Sequence, residues 1–386
     1  MNTIQKLKTA LLIVLLVLNS CKKKESSEVD VAQPINNDLI SRFLAARIKD
    51  SNTYLLDSID LNSINFTPST QRIVIKSDIT GYWNGSLFNT LSLTDHGWTH
   101  PSVLYFKQGW QGHNYWMAIT PYPNSDSQFE NPYIFCSDDG INWEAPVGVK
   151  NPFEPAPNKP IYNSDVNLQY DNGKLYCYWR QNGNLINKVV SRTIFERHSD
   201  DGINWSEKSY VASWPVGVAD AISPSVIHDG NQYVCYAVCT FEKVKGTYFD
   251  NHSIRRIVSD NGPLFPRTTN SEYKQVNISG RPWGKDQEPW HLEVRKVDNL
   301  WFMLVATTDN GKYGEKSRLF LGQSKDGINF EFIDKPICNS VYTYKSSFWI
   351  TNDPVNSKIY MQLWRTSSLN NWTMFYDLFE IKATFK

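Results

Sequence analysis

The sequence predicts an all-β protein folded as a five-bladed β-propeller, and two observations lead to that prediction. The first is a seven-residue phrase, Ser-x-Asp/Asn-Gly followed by an aromatic residue three positions later, that recurs along the chain. Its copies are Ser137–Trp143, Ser199–Trp205, a degraded Ser259–Phe265, and Ser324–Phe330. The glycines at positions 140, 202, 262 and 327 are separated by 62, 60 and 65 residues. Such a nearly fixed period is typical of a repeat architecture.

The second observation is a strand pattern that accompanies each copy of the phrase. A polar residue opens each unit, a short apolar stretch follows, and a second apolar stretch rich in Tyr and Trp comes after a turn. The opening stretches are 100–105, 165–170, 223–228, 291–296 and 345–350, and the strands that follow them are 115–120, 174–180, 232–238, 300–307 and 358–364. Five units with a four-stranded pattern predict five blades, beginning near residues 100, 165, 223, 291 and 345.

The recurring phrase itself predicts a tight turn. Its glycine can take a positive φ at little steric cost, and the Ser and Asp side chains can hydrogen-bond the turn backbone. We expect the terminal aromatic ring to pack between neighbouring sheets. Before the first blade, residues 39–48 predict a short helix. We further expect the stretch 72–76 to close the ring by joining the last blade, whose own turn phrase is truncated.

The N-terminus predicts export. Residues 1–20 combine an early positive charge with a short apolar run, as in a signal peptide, and the sequence before Cys21 resembles a bacterial lipobox. That resemblance implies acylation of Cys21, and an ordinary signal peptide is the alternative. Residues 21–37 are interpreted as a flexible tether and 38–386 as one propeller domain. We therefore expect a lipoprotein anchored in the outer membrane, with its membrane face left open.

Composition narrows the function classes. The chain has 39 basic and 39 acidic residues, so no nucleic-acid-binding surface is indicated. Aromatic residues make up 14% of the sequence, which fits either thick sheet packing or stacking against sugar rings. The cysteines beyond Cys21 show no metal-binding spacing, and either a disulfide or buried thiols are compatible with them. We expect a monomer, no organic cofactor, and Ca²⁺ as the structural ion to consider.

Polar residues open the strands that line a propeller's central channel. They are His100, Asp165, Ser223, His291 and Lys345, and the residues two positions later, which point the same way, are Ser102, Asn167, Ser225, Glu293 and Ser347. Charged and imidazole groups gathered in one channel are costly to bury unless they are paired. One interpretation is an active site at the channel mouth. The other is a narrow channel that these residues simply keep hydrated.

The layout resembles the family-43 type of glycoside hydrolases over residues 72–386. In that family an Asp followed by Pro opens the first blade as the base, a second Asp opens the second blade, and a Glu opens the third as the acid. Here His100 precedes Pro101 in the first position, Asp165 matches the second, and Ser223 stands where the acid is expected. The resemblance implies a carbohydrate-active site that keeps one of these carboxylates.

These residues together predict a glycoside hydrolase that acts on a polysaccharide or its oligosaccharides. The candidate catalytic residues are Asp165, His291, Glu293, His100 and Glu130, and the candidate substrate-binding residues are Arg180, Lys345, Trp98, Trp290 and Ser225. Glycosidic hydrolysis needs an acid and a base or nucleophile on either side of the bond. Two alternatives stay open: a polysaccharide lyase that uses the His and Lys residues on uronic acids, and a glycan-binding lipoprotein.

Overall fold

A computed structural model describes most of the chain. The residues it describes are 32–49, 54–83, 86–157, 160–186, 189–215, 219–230, 232–241, 252–260, 262–265, 274–279, 282–284, 287–308, 317–339, 342–369 and 371–386. The predicted signal peptide, Cys21 and most of the tether lie outside these residues. Within the described part of the chain, no helix is long and apolar enough to cross a lipid bilayer.

The protein is a five-bladed β-propeller, as the repeat predicts. An N-terminal helix and four short strands precede the first blade. These elements are α1 (Asn37–Lys49), β1 (Leu56–Ile59), β2 (Val74–Ile75), β3 (Ser77–Trp83) and β4 (Ser86–Leu93). Blade 1 follows with β5 (Trp98–Trp110), β6 (His113–Pro121), β7 (Tyr133–Ser137) and β8 (Asn142–Trp143).

The remaining blades follow in chain order. Blade 2 contains β9 (Tyr162–Asp171), β10 (Lys174–Ile186), β11 (Val189–Ser199) and β12 (Ser209–Pro215). Blade 3 contains β13 (Ala219–Asp229), β14 (Gln232–Phe241), β15 (His252–Ser259) and β16 (Lys274–Gln275). Blade 4 contains β17 (Asn277–Ser279), β18 (Glu288–Val297), β19 (Leu300–Thr308), β20 (Leu319–Ser324) and β21 (Asn329–Phe332). Blade 5 contains β22 (Ser347–Asp353), β23 (Lys358–Ser367) and β24 (Thr373–Phe385).

The first long strand of each blade lines the central channel. Neighbouring inner strands pack against one another around the axis, with β5 between β9 and β22, and β13 between β9 and β18. The inner strands begin at Trp98, Tyr162, Ala219, Glu288 and Ser347, each two to four residues from the predicted opening of its blade. This arrangement brings residues from distant parts of the sequence to one axis.

The ring closes at blade 5, where two segments from the N-terminal part of the chain pair with the last strand. The outer strand of that blade is β1, which pairs antiparallel with β24 and aligns Leu56 with Phe385. The stretch 72–76 also joins this blade, because Arg72 bridges to Phe375 and the Ile73 N–H donates to the Met374 carbonyl at 3.1 Å. Its next residues, β2, pair in parallel with β8 of blade 1. The prediction that 72–76 joins the last blade is therefore confirmed in part, since β1 also pairs with that blade and forms its outer strand. Leu56 is 1% exposed, and its burial explains why the four-residue strand holds this position.

The predicted turns form as expected. In the first copy the Ser137 hydroxyl accepts the Gly140 N–H at 2.9 Å, and Asp139 Oδ1 accepts the Asn142 N–H at 2.7 Å. The second and third complete copies repeat these bonds. Glycine is required in the second copy, because a Cβ on Gly202 would lie 2.3 Å from the ring of Trp116. The turn of one blade thus packs against a buried ring of its neighbour.

The helix α1 confirms the prediction for residues 39–48. Asn36 accepts the Asp38 N–H at 2.8 Å and caps the start of the helix. Phe43 and Ala46 face the core, and the Arg47 guanidinium lies 4.4 Å from the Tyr105 ring centroid, within cation–π range. The five described cysteines are all buried, and Cys136, Cys177 and Cys235 are free thiols.

Candidate active site

Three inner strands carry a residue with left-handed backbone where they enter the channel. The φ angles are 57° at His100, 54° at Asp165 and 55° at Ser223. The pairing register of each strand with its neighbour shifts at the same place. A β-bulge of this kind re-aims a side chain, and the polar residue that opens each blade is thereby directed toward the axis.

His100, Asp165 and His291 meet at the axis. Asp165 Oδ1 lies 3.3 Å from His100 Nε2 and 3.1 Å from His291 Nδ1. The two imidazole rings are 5.1 Å apart between centroids. All three side chains are almost fully buried. The convergence required by the sequence interpretation therefore exists for these three predicted residues.

Further polar groups hold the three residues in place. Arg180 Nη2 lies 2.6 Å from Asp165 Oδ2, and the Ser223 hydroxyl lies 3.1 Å from His291 Nδ1. His100 Nδ1 lies 2.9 Å from the hydroxyl of Thr120 and 3.6 Å from Glu130 Oε1. The predicted residues Arg180 and Glu130 are thus part of this cluster. Thr120, which the sequence analysis did not single out, is part of it too.

The electrostatics of the cluster follow from burial and from one cation. Burial lowers the pKa of His100 well below its ordinary value and also lowers the pKa of His291. Burial alone would raise the pKa of Asp165, but Arg180 and the two imidazoles hold it well below its ordinary value. Burial, with the charge of Asp165, raises the pKa of Glu130 well above its ordinary value. Two neutral imidazoles therefore face an ionised carboxylate.

This set of groups fits a divalent metal ion. One ligand atom from each of His100, Asp165 and His291 lies within 4.8 Å of the others. The buried Nε2 atoms of both histidines and both Asp165 carboxylate oxygens lack a well-aligned hydrogen bond. Two neutral imidazoles and one carboxylate are a donor set that divalent transition metals bind in proteins, with other positions left open for substrate.

The predicted residues two positions after the blade openings form contacts between blades. Side chains on one inner strand accept backbone N–H groups of another: Ser102 from Leu168 at 2.8 Å, Asn167 from Val226 at 2.9 Å, Ser225 from Val294 at 2.9 Å, and Ser347 from Val103 at 2.9 Å. We call these four residues, together with Glu293, the girdle. Its bonds join the blades around the axis.

Glu293 and Lys345 are buried in and beside the girdle. Glu293 Oε1 accepts from the Ser102 hydroxyl at 2.9 Å and is paired with Arg295. Lys345 Nζ donates to the Val166 carbonyl and lies 4.0 Å from Glu293 Oε2. Of the predicted residues, Glu293, Lys345 and Ser225 are therefore engaged by the scaffold, whereas His100, Asp165, His291, Glu130 and Arg180 converge.

The two aromatic candidates also differ in position, because one lies in the core and the other lies beside the cluster. Trp98 is 2% exposed and packs edge-on against Tyr133 and Phe135 in the core. Trp290 is partly exposed, and its ring lies 5.8 Å from that of His291. Tyr344, which the sequence analysis missed, lies 4.4 Å from the His291 ring. Its position directly before Lys345 is the signal that could have identified it.

Comparison with known proteins agrees with this fold. No family model matches the chain. A curated A type blood N-acetyl-α-D-galactosamine deacetylase of Flavonifractor plautii is 28% identical over 299 residues, which cover 65% of this chain. The chain spans 37% of the length of that relative.

Solved structures show the same architecture at low sequence identity. A crystal structure of an N-acetylgalactosamine deacetylase from F. plautii, in complex with blood group B trisaccharide, matches with a TM-score of 0.65 and 22% identity over 79% of this chain and 95% of that one. A thermostable family-43 glycoside hydrolase matches with a TM-score of 0.52 and 12% identity over 79% and 95%. A xylan β-1,4-xylosidase from Bacillus halodurans C-125 matches with 0.50 and 16% over 75% and 53%.

The named activities of these proteins all concern carbohydrates. The chain shares the five-bladed propeller of the family-43 glycoside hydrolases and of the similar deacetylase.

Proposed function

We propose that the protein is a metal-dependent deacetylase that removes the acetyl group from an N-acetylated amino sugar of a glycan. The observation that carries the proposal is the convergence of His100, Asp165 and His291, with buried ligand atoms that lack well-aligned hydrogen bonds. The curated relative is named for the same reaction class. Glycosidic hydrolysis of the family-43 type has less support, because His100 and Ser223 occupy two of the three expected carboxylate positions.

The ligands of the metal ion would be His100, Asp165 and His291. A divalent cation held there supplies a Lewis acid for the amide carbonyl and lowers the pKa of a bound water. Arg180 orients Asp165 through the 2.6 Å ion pair, and Ser223 orients the His291 ring. Such outer contacts fix the direction of ligand atoms and are needed for tight binding. In place of the structural Ca²⁺ considered from the sequence, the cation of this proposal is catalytic.

Glu130 is the residue that we assign to proton transfer. Its Oε1 lies 3.6 Å from His100 Nδ1, on the side of the imidazole ring away from Asp165. Amide hydrolysis needs a group that takes a proton from the attacking water and returns one to the departing amine. A carboxyl beside the ligand set, and not itself among the ligands, is suited to that role. Trp290 and Tyr344, next to His291, would pack against the sugar ring.

The test is a product assay on glycans that end in an N-acetylhexosamine. Purified protein lacking residues 1–21 is treated with a chelator and then supplied with Zn²⁺, Mn²⁺ or Ca²⁺, and free acetate and new reducing ends are measured. We expect metal-dependent acetate without new reducing ends, and its loss in Asp165→Asn and His291→Ala. His228→Ala is the matched control. His228 lies near the C-terminal end of β13, beyond Ser223, and is paired with Asp171. Acetate release that survives both site variants would refute the proposal.

Glycosidic hydrolysis is the second candidate. It is favoured by the two carboxyl groups, Asp165 and Glu130, that lie on opposite nitrogens of His100, since glycosidases flank the bond with two carboxyls. New reducing ends in the same assay would support it. The lyase alternative requires a free cation near the substrate carboxylate, and Lys345 is already bonded to Val166. A rise in ultraviolet absorbance from an unsaturated product would support the lyase, and binding without any product would support a glycan-binding protein.

The cellular setting is part of the proposal. We propose that the protein is exported, acylated at Cys21 and anchored in the outer membrane, because of the leader and lipobox resemblance in residues 1–21. Metabolic labelling with a fatty-acid analogue tests this directly. Label that is incorporated into the wild type and lost in Cys21→Ser is expected, and unlabelled wild-type protein would refute the anchor.

A further inference from the structure

We propose a second metal site, of the zinc type, in blade 1, formed by His113, Cys136 and Glu144. One ligand atom from each of these residues lies within 4.8 Å of the others. His113 begins β6, Cys136 lies in β7, and Glu144 directly follows β8. This site is separate from the His100 cluster and does not depend on the proposed deacetylation.

The chemistry of the three donors matches Zn²⁺. A thiolate, an imidazole and a carboxylate are its usual protein ligands, and thiolate selects against Mg²⁺ and Ca²⁺. Asp138 offers a fourth oxygen, because its Oδ1 lies 3.4 Å from His113 Nδ1. That Nδ1 atom is buried and has no well-aligned hydrogen bond. A buried, underused nitrogen beside two carboxylates is an arrangement that a cation would complete.

The backbone holds two of the ligands in a fixed relationship. Cys136 and Glu144 form a two-way bridge, with the Cys136 N–H donating to the Glu144 carbonyl at 2.9 Å and the reverse bond at 3.0 Å. Paired residues of antiparallel strands place their side chains on the same face. His113, Asp138 and Glu144 also border a cavity of about 500 Å³, together with Lys76. The cavity gives an ion a route to the ligands.

The internal repeat shows that the scaffold does not require these three residues. The strand pairing puts Cys136 at the position of His198 in blade 2 and Gln323 in blade 4, each directly before the turn serine. Glu144 corresponds to Ser206 in blade 2 and Glu331 in blade 4, directly after the turn aromatic.

His113 lies two residues before Tyr115, the residue that pairs with the turn serine of blade 1. The equivalent positions are Gly173 in blade 2 and Asn299 in blade 4. The same turn therefore forms with an imidazole or an amide at the Cys136 position, a hydroxyl or a carboxylate at the Glu144 position, and glycine or an amide at the His113 position. Of blades 1, 2 and 4, blade 1 alone combines a thiol, an imidazole and a carboxylate. A requirement of the turn itself cannot account for that combination.

Cobalt provides the test, because Co²⁺ occupies zinc sites and a thiolate ligand gives it a near-ultraviolet charge-transfer band. Reduced, metal-free protein is titrated with Co²⁺ and the absorbance is followed. We expect a band that saturates at one equivalent in the wild type, disappears in Cys136→Ser, and needs at least 10-fold more Co²⁺ in Glu144→Gln. Because Glu144 is exposed, the latter variant keeps the fold.

Two controls separate this site from the other one and from general effects. Asp165→Asn should retain the band, since the His100 cluster contains no thiol. Glu331→Gln, the matched change in blade 4, should retain it as well. A wild-type protein without the band at stoichiometric Co²⁺ would overturn the proposal, and so would a band that persists in Cys136→Ser. Neither result would bear on the deacetylation, which is measured by acetate release.

Discussion

Arg180 Nη2 lies 2.6 Å from Asp165 Oδ2, and both residues are buried at the channel axis. The pair joins adjacent strands of blade 2, β9 and β10, and the Ser164 hydroxyl accepts a further bond from Arg180 at 3.2 Å. The guanidinium occupies one carboxylate oxygen and leaves the other between two imidazoles. One carboxylate oxygen of Asp165 therefore has a structural role and the other a reactive role, and the first prediction follows from this difference.

We predict that Arg180→Met lowers both metal affinity and activity by about 10- to 100-fold, because the outer partner of a metal-binding carboxylate is lost. Arg180→Lys should recover part of the loss, since an ammonium keeps the charge but not the rigid fork. Metal titration by calorimetry and acetate release measure the two quantities. Activity that falls while metal affinity stays unchanged would contradict this role and indicate a direct contact of Arg180 with substrate.

We predict that Glu293 acts on stability and not on chemistry. Glu293→Ala leaves Arg295 and Lys345 buried without their carboxylate, and removal of one partner from a buried ion pair costs about 3–5 kcal/mol of unfolding free energy. Urea denaturation measures the loss, and activity per folded molecule should stay near that of the wild type. Glu130→Gln is the contrasting variant, with lost activity and a smaller change in stability. Full stability of Glu293→Ala would refute the scaffold role.

We predict that Gly202→Ala destabilises the protein by about 3 kcal/mol or more. The new Cβ would lie 2.3 Å from the buried Trp116 ring, and φ is +74°. The cost combines left-handed strain with overpacking. Gly173→Ala is the matched control, because its φ is +85° and its Cβ would meet nothing within 4 Å, so strain alone should cost about 1–2 kcal/mol. Equal thermal midpoints for the two variants would show that the packing against Trp116 contributes nothing.

We predict a loss of stability in acid that the turn carboxylates share. Burial would raise the pKa of Asp201, but hydrogen bonds from the Asn204 backbone and side chain lower it to about 2, and Asp326 behaves likewise. A lowered folded-state pKa gives stability that is present above the ordinary value of 3.8 and disappears as the pH falls toward 2.

After allowance for solvent screening, each of these two groups contributes on the order of 1 kcal/mol. Asp201→Asn should therefore flatten the dependence of the urea midpoint on pH between about 4 and 2. Glu207→Gln, a charge-matched change at an exposed neighbour, should leave the dependence intact. If both variants retain the wild-type slope, the turn carboxylate is not the source of acid sensitivity.

The repeat made most of the fold predictable, because the turn phrase and the strand openings are local signals. The closing strand was not predictable in that way. Leu56–Ile59 has neither a turn phrase nor an alternating pattern, and only its pairing with β24 at the other end of the chain defines it. The stretch 72–76 is more strongly apolar and was predicted to close the ring, and it supplies part of the closure through Arg72 and Phe375.

The site was predictable in part for a related reason. Equivalent positions in the repeat identified His100, Asp165 and His291, whose strands all enter the channel at one level. The same rule could not tell which polar residues point at substrate and which join blades, so Glu293 was grouped with the catalytic candidates and Ser225 with the substrate-binding candidates. Thr120 lies outside the repeated positions, and only its contact with His100 in three dimensions identifies it.

The left-handed backbone at His100, Asp165 and Ser223 has a consequence for how this architecture diversifies. Such φ values are best tolerated by short polar residues and by histidine among the residues that carry a reactive group. A single codon change at one of these places can therefore exchange a carboxylate, an imidazole or a hydroxyl without disturbing the surrounding strands. Substitutions at these three positions can thus give the same fold a different reaction during evolution, and laboratory mutagenesis can begin at the same positions.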